Sequence, residues 1–546
     1  MNALRLLLRC PGPTRHSSGN PATGNAMQSK HPASQSLTRR SFITSTAAVA
    51  LGVTAGGLIL PRAASAQRKR GGHLRIGLGG GSTTDTLDPL NWSDGFMYML
   101  GFAVRGNLVE VLADGTAVPE LAESFESSDD GTNWTFRLRP GLTFSNGKTV
   151  TASDCVASIN RIRNGQAASG ASTLLVDVID VVAKDEKTVS VTLSHGNFDF
   201  PYVMADYTLG IMPYDGDTPD LESGAGAYLL KSFVPGERAV LERNPNAFKQ
   251  GHFDSIEMIS IADANARQSA LMAGQLDAIN RVDLKTAAMM ANRSSVVIGS
   301  VPSRQYYAFC GNGLQDPFNS NDVRLALKYG IDRAAMVEKI LHGYGTLGND
   351  QPITPAYKYH NPDVAVRAYD PDKARFHLQK AGLDGITLTL SGADAAFPGA
   401  VNAGLLYAEQ ISGAGVSIRV ERTPDDGYWS NVWMKKPFFA SYWSGRSSED
   451  SILTTAWSKD SDANDSFMSV PEVEDLLISA RKERDDSTRR TLYGQIQSII
   501  SEQYSVVIPM FANYVHAARD KVVTGETVSG VAEMDGARCL ERWSFA

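Results

Sequence analysis

From residue 73 onward, strand-like and helix-like patterns follow one another without a long segregated run of either, and this narrows the fold more than any other feature. Residues 73–78 and 134–138 alternate apolar and polar side chains as strands do. The pairs 178–183/188–193 and 229–233/239–243 read as hairpins around Asp185-Glu186-Lys187 and Pro235-Gly236-Glu237. Helical patterns cover 96–112, a stretch opened by Thr151 or Ser153, and 263–273, which Gly274 stops. They continue with a helix pair over 322–341 and a helix over 370–381, capped by Asp370 with Pro371 at its first position. Further strands are expected at 256–261, 386–390, 416–421, 506–510 and 514–518, and further helices at 405–414, 470–482 and 487–504. Such mixing predicts an α/β protein with mixed sheets. At roughly 100–200 residues per domain, a chain of 546 residues is too long for one core, so two or three lobes are expected.

The first 66 residues read as an address. Thr38-Arg39-Arg40-Ser41-Phe42-Ile43 precedes an Ala/Gly/Thr-rich apolar run, 43–60, and the small-residue site Ala64-Ser65-Ala66. A basic region, an apolar run and an A-x-A site in that order make a cleavable export signal, here of the twin-arginine type, with cleavage after Ala66. The run is short and poorly apolar for a membrane span of about 20 residues. Residues 1–26 fit neither signal nor domain, and Met27 is a candidate start that would make them an upstream over-read. The mature chain is therefore expected in the periplasm and not embedded in a membrane.

Charge excludes one class of partner. Residues 1–66 hold seven Lys and Arg and no acid, leaving 45 basic against 59 acidic side chains over 67–546. A net negative body without a basic cluster beyond Arg68, Lys69 and Arg70 argues against nucleic acid. Cys155, Cys310 and Cys539 lie far apart, with no C-x-x-C and no histidine at metal spacing. They read as buried small hydrophobes, with a single disulfide as the alternative. Catalytic motifs are missing as well. Gly141 to Thr149 is one residue too long for a P-loop and lies in a hairpin, and neither a G-x-S-x-G elbow nor an H-E-x-x-H pair occurs. The chain is expected to be no enzyme and to need no cofactor or metal.

Several ordered segments carry a resemblance. They are Gly71-Gly72-His73-Leu74-Arg75-Ile76 with Thr86-Leu87-Asp88-Pro89, then 118–125, then 134–141 with Asn146-Gly147 and Ala152-Ser153-Asp154. Gly224-Ala225-Gly226-Ala227-Tyr228, Glu242-Arg243-Asn244-Pro245, 270–277 and 322–333 follow. Together they resemble the extracytoplasmic solute-binding proteins of family 5, the dipeptide, oligopeptide, nickel and opine binders of ABC importers. The resemblance implies two lobes joined by two crossover strands around an enclosed cleft: lobe I at 70–317 plus 519–546, lobe II at 318–518. It implies a monomer that captures a peptide-like or opine-like solute and delivers it to a permease driven by a separate ATPase. A secreted hydrolase, or a chaperone or sensory protein on the same fold, is the alternative.

The same resemblance picks out candidate ligand-binding residues: Arg446, Trp443, Ser93, Gly95, Asp394 and Phe397. In the dipeptide binders an Asp after Trp-x-Gly holds the peptide ammonium; here Trp443-Ser444-Gly445 leads into Arg446. The position expected to carry a carboxylate-binding Arg falls at Asp394, so both charges read as reversed. A guanidinium suits carboxylate or phosphate and repels an ammonium. Three arrangements stay open: Arg446 binds an anionic group; it pairs with Asp394, Glu449 or Asp450 and shapes the pocket; or Glu449 or Asp450 is itself the amine anchor. Trp92, Phe96 and Tyr442 are further candidates for stacking on a solute, with core packing as their alternative.

Overall fold

The structure, a computed structural model, describes residues 68–165, 170–459 and 461–546. The twin-arginine sequence, the apolar run, the cleavage site and Cys10 lie outside the described residues. At the centre is an eleven-stranded mixed sheet. Two long antiparallel strands, Val296–Gly311 and Val506–Arg519, run through its middle. On one flank the parallel strands Ala278–Ile279, His73–Leu78 and Ser255–Ser260 are followed by the hairpin of Arg238–Arg243 and Tyr228–Val234. On the other flank stand Phe438–Trp443, Ile386–Gly392 and Val416–Arg422, again parallel to one another. A separate four-stranded antiparallel sheet, 122–138 with 178–193, carries the helix Ala152–Asn164 on one face. The α/β class with mixed sheets holds, and no helix among the described residues is long and apolar enough to cross a membrane.

Burial divides into separate cores. Residues 306–512 supply the largest, the four-stranded sheet has its own, and a third joins the strand His73–Leu78 and the helix Gly95–Val104 to the end of the chain around Trp543. Cys310, Cys155 and Cys539 sit one in each, buried and free, so the disulfide alternative falls. Much of the motif set builds these cores. Thr151 caps its helix through a reciprocal bond with Asp154, which decides between the two capping candidates. Arg243 donates to the carbonyls of His252 and Phe253, and Asn244 Nδ2 donates to Gly226 O at 3.0 Å. The two glycines of Gly-Ala-Gly-Ala-Tyr mark a backbone-to-backbone approach. A Cβ at Gly224 would meet Val104 O at 2.3 Å, and one at Gly226 would meet Ala103 O at 2.5 Å.

The long strands depart most from expectation. The two short strands predicted over 506–518 are one strand, Val506–Arg519, and the strand Val296–Gly311 has no counterpart in the sequence reading. Residues 306–311 and 506–512 run through the interior, where burial on two faces removes the alternation that betrays a strand. Residues 506–512 are all buried. Val296–Gly311 also contains Gly299 and Pro302, ordinarily strand breakers. Pro302 lies where the register shifts between Val301 and Gln305, so its missing N–H costs no ladder bond. The helix expected over 96–112 stops at Val104. Arg105 turns extended there, and its buried guanidinium donates to Leu87 O and Leu221 O.

Candidate functional site

Strand directions place the site. In open α/β sheets ligands bind beyond the carboxyl ends of parallel strands. Ala278–Ile279 pairs with Ala518 and Ala517, running toward residue 516 of the long partner strand. Phe438–Trp443 pairs through Tyr306 with Phe511, running toward residue 512 from the opposite side. The carboxyl ends of both flanks therefore converge on one stretch, 512–516, with Tyr514 in its middle. Two bonds fix the convergence: Val282 N donates to Val515 O at 3.2 Å, and Gly445 N donates to Tyr514 Oη at 3.2 Å.

Arg446 stands at the carboxyl end of Phe438–Trp443 and is held by its backbone. Its N–H donates to Tyr357 Oη at 3.1 Å, and buried Arg304 donates to the carbonyls of Arg446 at 2.9 Å and Ser447 at 2.7 Å. Its Nη1 donates to Tyr207 Oη at 3.1 Å, and Tyr207 stacks on Tyr98 with ring centroids 3.6 Å apart. The guanidinium also lies over the Trp443 ring at 5.8 Å. Burial works against its charge, but Tyr207, Asp206 and Tyr98 outweigh it and raise the guanidinium's pKa further. Tyr98, Tyr442, Arg446 and Tyr514 each keep some accessible surface where the two flanks converge.

The carboxylates weighed as partners of Arg446 are engaged elsewhere. Asp394 is exposed and accepts from Gly399 N at 3.0 Å, at the start of the helix Ala400–Ser412. Glu449 accepts from Tyr359 N at 2.5 Å, and Asp450 pairs with Arg481 at 2.6 Å. Both are buried at the start of a helix, Glu449–Ala456, and burial raises their carboxyl pKa values. Phe397 is buried and stacks on Tyr307, centroids 4.4 Å apart, so it backs the wall. Ser93 is exposed in the loop before the helix Gly95–Val104. Gly95 is buried, and the space its side chain would fill is taken by the Glu533 carboxylate, 2.2 Å from an added Cβ. Trp92 and Phe96 are core residues; the Trp92 indole donates to Thr86 O and lies beneath Arg105.

Trp443 is anchored by a residue the sequence reading passed over. Asp465, buried, accepts from the indoles of Trp433 and Trp443, the latter at 2.8 Å, and from Ser441 Oγ at 2.9 Å. Burial pushes its carboxyl up to about 6, against the pull of these donors. As pH falls through that value the carboxylate takes up a proton and loses acceptor capacity. Tryptophan emission is therefore expected to titrate with a midpoint near pH 6, and Asp465→Asn to abolish that step. A flat profile from pH 5 to 7.5 in the wild type would refute the coupling. For stability the sign runs the same way: a carboxyl raised above its unfolded value near 4 stabilises the fold at low pH, and that contribution is lost between about pH 4 and 6.

Away from this space the two sides also meet through charge. Asp199 pairs with Arg489 and accepts from Tyr493 Oη at 2.7 Å, and Asp177 lies 3.5 Å from Arg481. Surface hollows beside Arg481 and between Leu284 and Val337 contain none of the residues around Arg446. Their walls lack the convergent strand ends that define the site above.

Tyr98, Tyr207, Arg281, Arg304, Tyr514 and Glu533 escaped the sequence reading. None of them carried a signal within its own stretch of sequence.

The sequence pattern of the bacterial extracellular solute-binding proteins, family 5 Middle, matches residues 116–465. The glutathione-binding protein GsiB of Salmonella typhimurium is 26% identical over 465 residues, covering 82% of this chain and 90% of that protein. The probable D,D-dipeptide-binding periplasmic protein DdpA of Escherichia coli is 26% identical over 482 residues, covering 82% and 90%. Among solved structures, AgaA from A. tumefaciens R10 in complex with agropinic acid superposes with a TM-score of 0.76 at 23% identity, over 87% of this chain and 99% of that one. DppA from Helicobacter pylori in complex with the peptide STSA gives 0.76 at 20% identity, over 87% and 98%.

Proposed function

Since the chain belongs to the bacterial extracellular solute-binding proteins of family 5 and is the substrate-binding component of an ABC-type importer, we propose that its solute is a small peptide-like or opine-like molecule carrying an anionic group bound at Arg446. One observation carries this reading. A guanidinium held in its charged form stands among Tyr98, Tyr207, Tyr442 and Trp443, where the strand ends of both flanks converge. Arginine presents a planar fork matched to carboxylate, and aromatic faces suit the carbon skeleton of a conjugate. Relatives described as binding glutathione, dipeptides and an opine acid support a solute of that size and polarity.

The lobes are taken as 70–317 with 519–546, and 318–518, with Val296–Gly311 and Val506–Arg519 as the crossovers. Tyr207, with Tyr98 stacked on it, already meets Arg446; opening the lobes would part them to admit the solute, and the closed form would dock as a monomer on the permease, whose ATPase supplies the energy. The protein itself performs no chemistry. The twin-arginine leader, cleaved after Ala66, would deliver it to the periplasm.

Native mass spectrometry of freshly purified protein, backed by thermal-shift screening of short peptides, glutathione and opine acids, tests the reading. At least one acidic solute is expected to raise the unfolding midpoint by several degrees, and deletion of the gene is expected to abolish uptake of that solute. Binding confined to cationic or uncharged solutes, or undiminished uptake in the deletion strain, would refute it.

A further inference from the structure

We propose that Arg281, oriented by Glu533, is a second solute-reading residue, taking a hydrogen-bond acceptor (a carboxylate or amide carbonyl) at the end of the solute away from Arg446. The inference rests on the reading of Arg446 given above and extends it to a two-ended solute.

Four observations support it. First, place: Arg281 stands two residues past Ala278–Ile279, beyond the carboxyl end of a parallel strand, and its neighbour Val282 is bonded to Val515. Arg446 follows the opposing strand, and its neighbour Gly445 is bonded to Tyr514. The two arginines thus flank the same residues of the long strand from opposite sides. Second, orientation: Arg281 Nε and Nη2 donate to the two oxygens of Glu533 at 3.1 and 2.9 Å. Glu533 is fixed in turn by Asn280 Nδ2 at 2.9 Å and by the space left at Gly95. One edge of the guanidinium is thereby locked, while Nη1 makes no bond among the described residues and the side chain is 52% exposed. A fork so held loses little freedom on binding.

Third, surroundings: the Arg281 and Arg446 guanidiniums both act on the Tyr442 hydroxyl, as do the Glu533 and Asp94 carboxylates, so the two arginines share one neighbourhood. Fourth, backbone: Arg281 has φ +45°, and Met534, Asp535 and Ala537, just after Glu533, have φ of +52°, +63° and +61°. Non-glycine residues in the left-handed region are costly and gather where geometry is held for a ligand. Glu533 neutralises Arg281, so the open edge selects for acceptor geometry more than for net charge. That admits a carbonyl as well as a carboxylate.

The test uses glutathione and the straight-chain diacids from succinate to suberate, each diacid beside the monocarboxylic acid of equal carbon number, in titration calorimetry and thermal shift. The wild type is expected to bind its best diacid about tenfold or more tightly than the matched monoacid. Arg281→Gln should bring that ratio to within about twofold and leave the monoacid affinity in place. Arg281→Lys, which keeps the charge pair but not the fork, should recover only part of the ratio, and unliganded melting curves check that each variant is folded. No diacid preference in the wild type, a preference that survives Arg281→Gln, or no binding by any member of the panel overturns the inference. Failure at Arg281 with loss of all binding in Arg446→Gln sinks this inference alone. Loss of the preference at Arg281 with a silent Arg446→Gln sinks the reading of Arg446 and, with it, the two-ended solute.

Discussion

Asp350→Ala is expected to cost about 3–5 kcal/mol of folding stability, because it removes the carboxylate that two buried guanidiniums share. Asp350 is fully buried and pairs with Arg333 at 2.6 Å and Arg367 at 3.1 Å, while one oxygen accepts from Ile508 N at 3.0 Å. Both arginines are themselves buried, so truncation takes a shared acceptor from two guanidiniums and a backbone N–H; Arg367 keeps Glu502 and Ser501, while Arg333 is left with backbone carbonyls such as those of Lys328 and Arg367. Asp350 also sits at φ +62°, a conformation asparagine tolerates and alanine does not. Asp350→Asn therefore isolates the charge from the backbone and should cost less. Burial opposes the ionised form, but Arg333, Arg367 and Lys328 win and hold the carboxyl below its usual range. The contribution is thus present above the unfolded carboxylate value near pH 4 and disappears as pH falls through the lower folded value. Denaturant midpoints at pH 7 check the prediction, and a loss under about 1 kcal/mol for the alanine variant would contradict it.

Half of this cluster was legible. Arg333 belongs to Gly330-Ile331-Asp332-Arg333, where Asp332 caps a helix by accepting from Ala335 N and Arg333 turns inward to Asp350. A cap and a helix start are local signals, written within four residues. The partner, 17 residues on in a loop without periodicity, is a tertiary fact. The same division runs through the fold. Hairpins with turn residues between alternating runs were readable, as were helices with a cap at one end and a glycine at the other. Val296–Gly311 was not, because Gly299 makes room for His516, Gly311 for Phe318, and Pro302 sits at the register shift, none of which is visible locally. At the site, Arg446 and Trp443 stood out by their place in a pattern. Tyr207 and Glu533 did not, since what makes them matter is the approach of segments more than 230 residues away in sequence.

Arg446→Gln is expected to weaken binding of the best acidic solute by about 2–5 kcal/mol, roughly 30-fold to a few thousand-fold in Kd. The size follows from burial. A charged hydrogen bond made within an enclosed space is unscreened, and its loss strands the solute's own charge. The wild-type affinity should accordingly vary little between 50 and 300 mM salt, unlike that of a surface ion pair. Calorimetry on the solute identified by native mass spectrometry decides it. A change below threefold would leave Arg446 as a tie between the two sides, through Tyr207, and nothing more.

Cys155, Cys310 and Cys539 are each sealed in a different core without a disulfide, and burial lifts all three thiols out of the range where thiolates form at neutral pH. Thioredoxin-like reductants and oxidants alike leave such a fold untouched, so its native state forms equally well on either side of a redox boundary. For a chain that the proposed twin-arginine leader would carry across already folded, maturation and crossing become independent events. In practice, a cysteine placed at the rim of the cleft would be the sole reactive thiol on the described surface, ready to take a fluorophore that reports opening and closing.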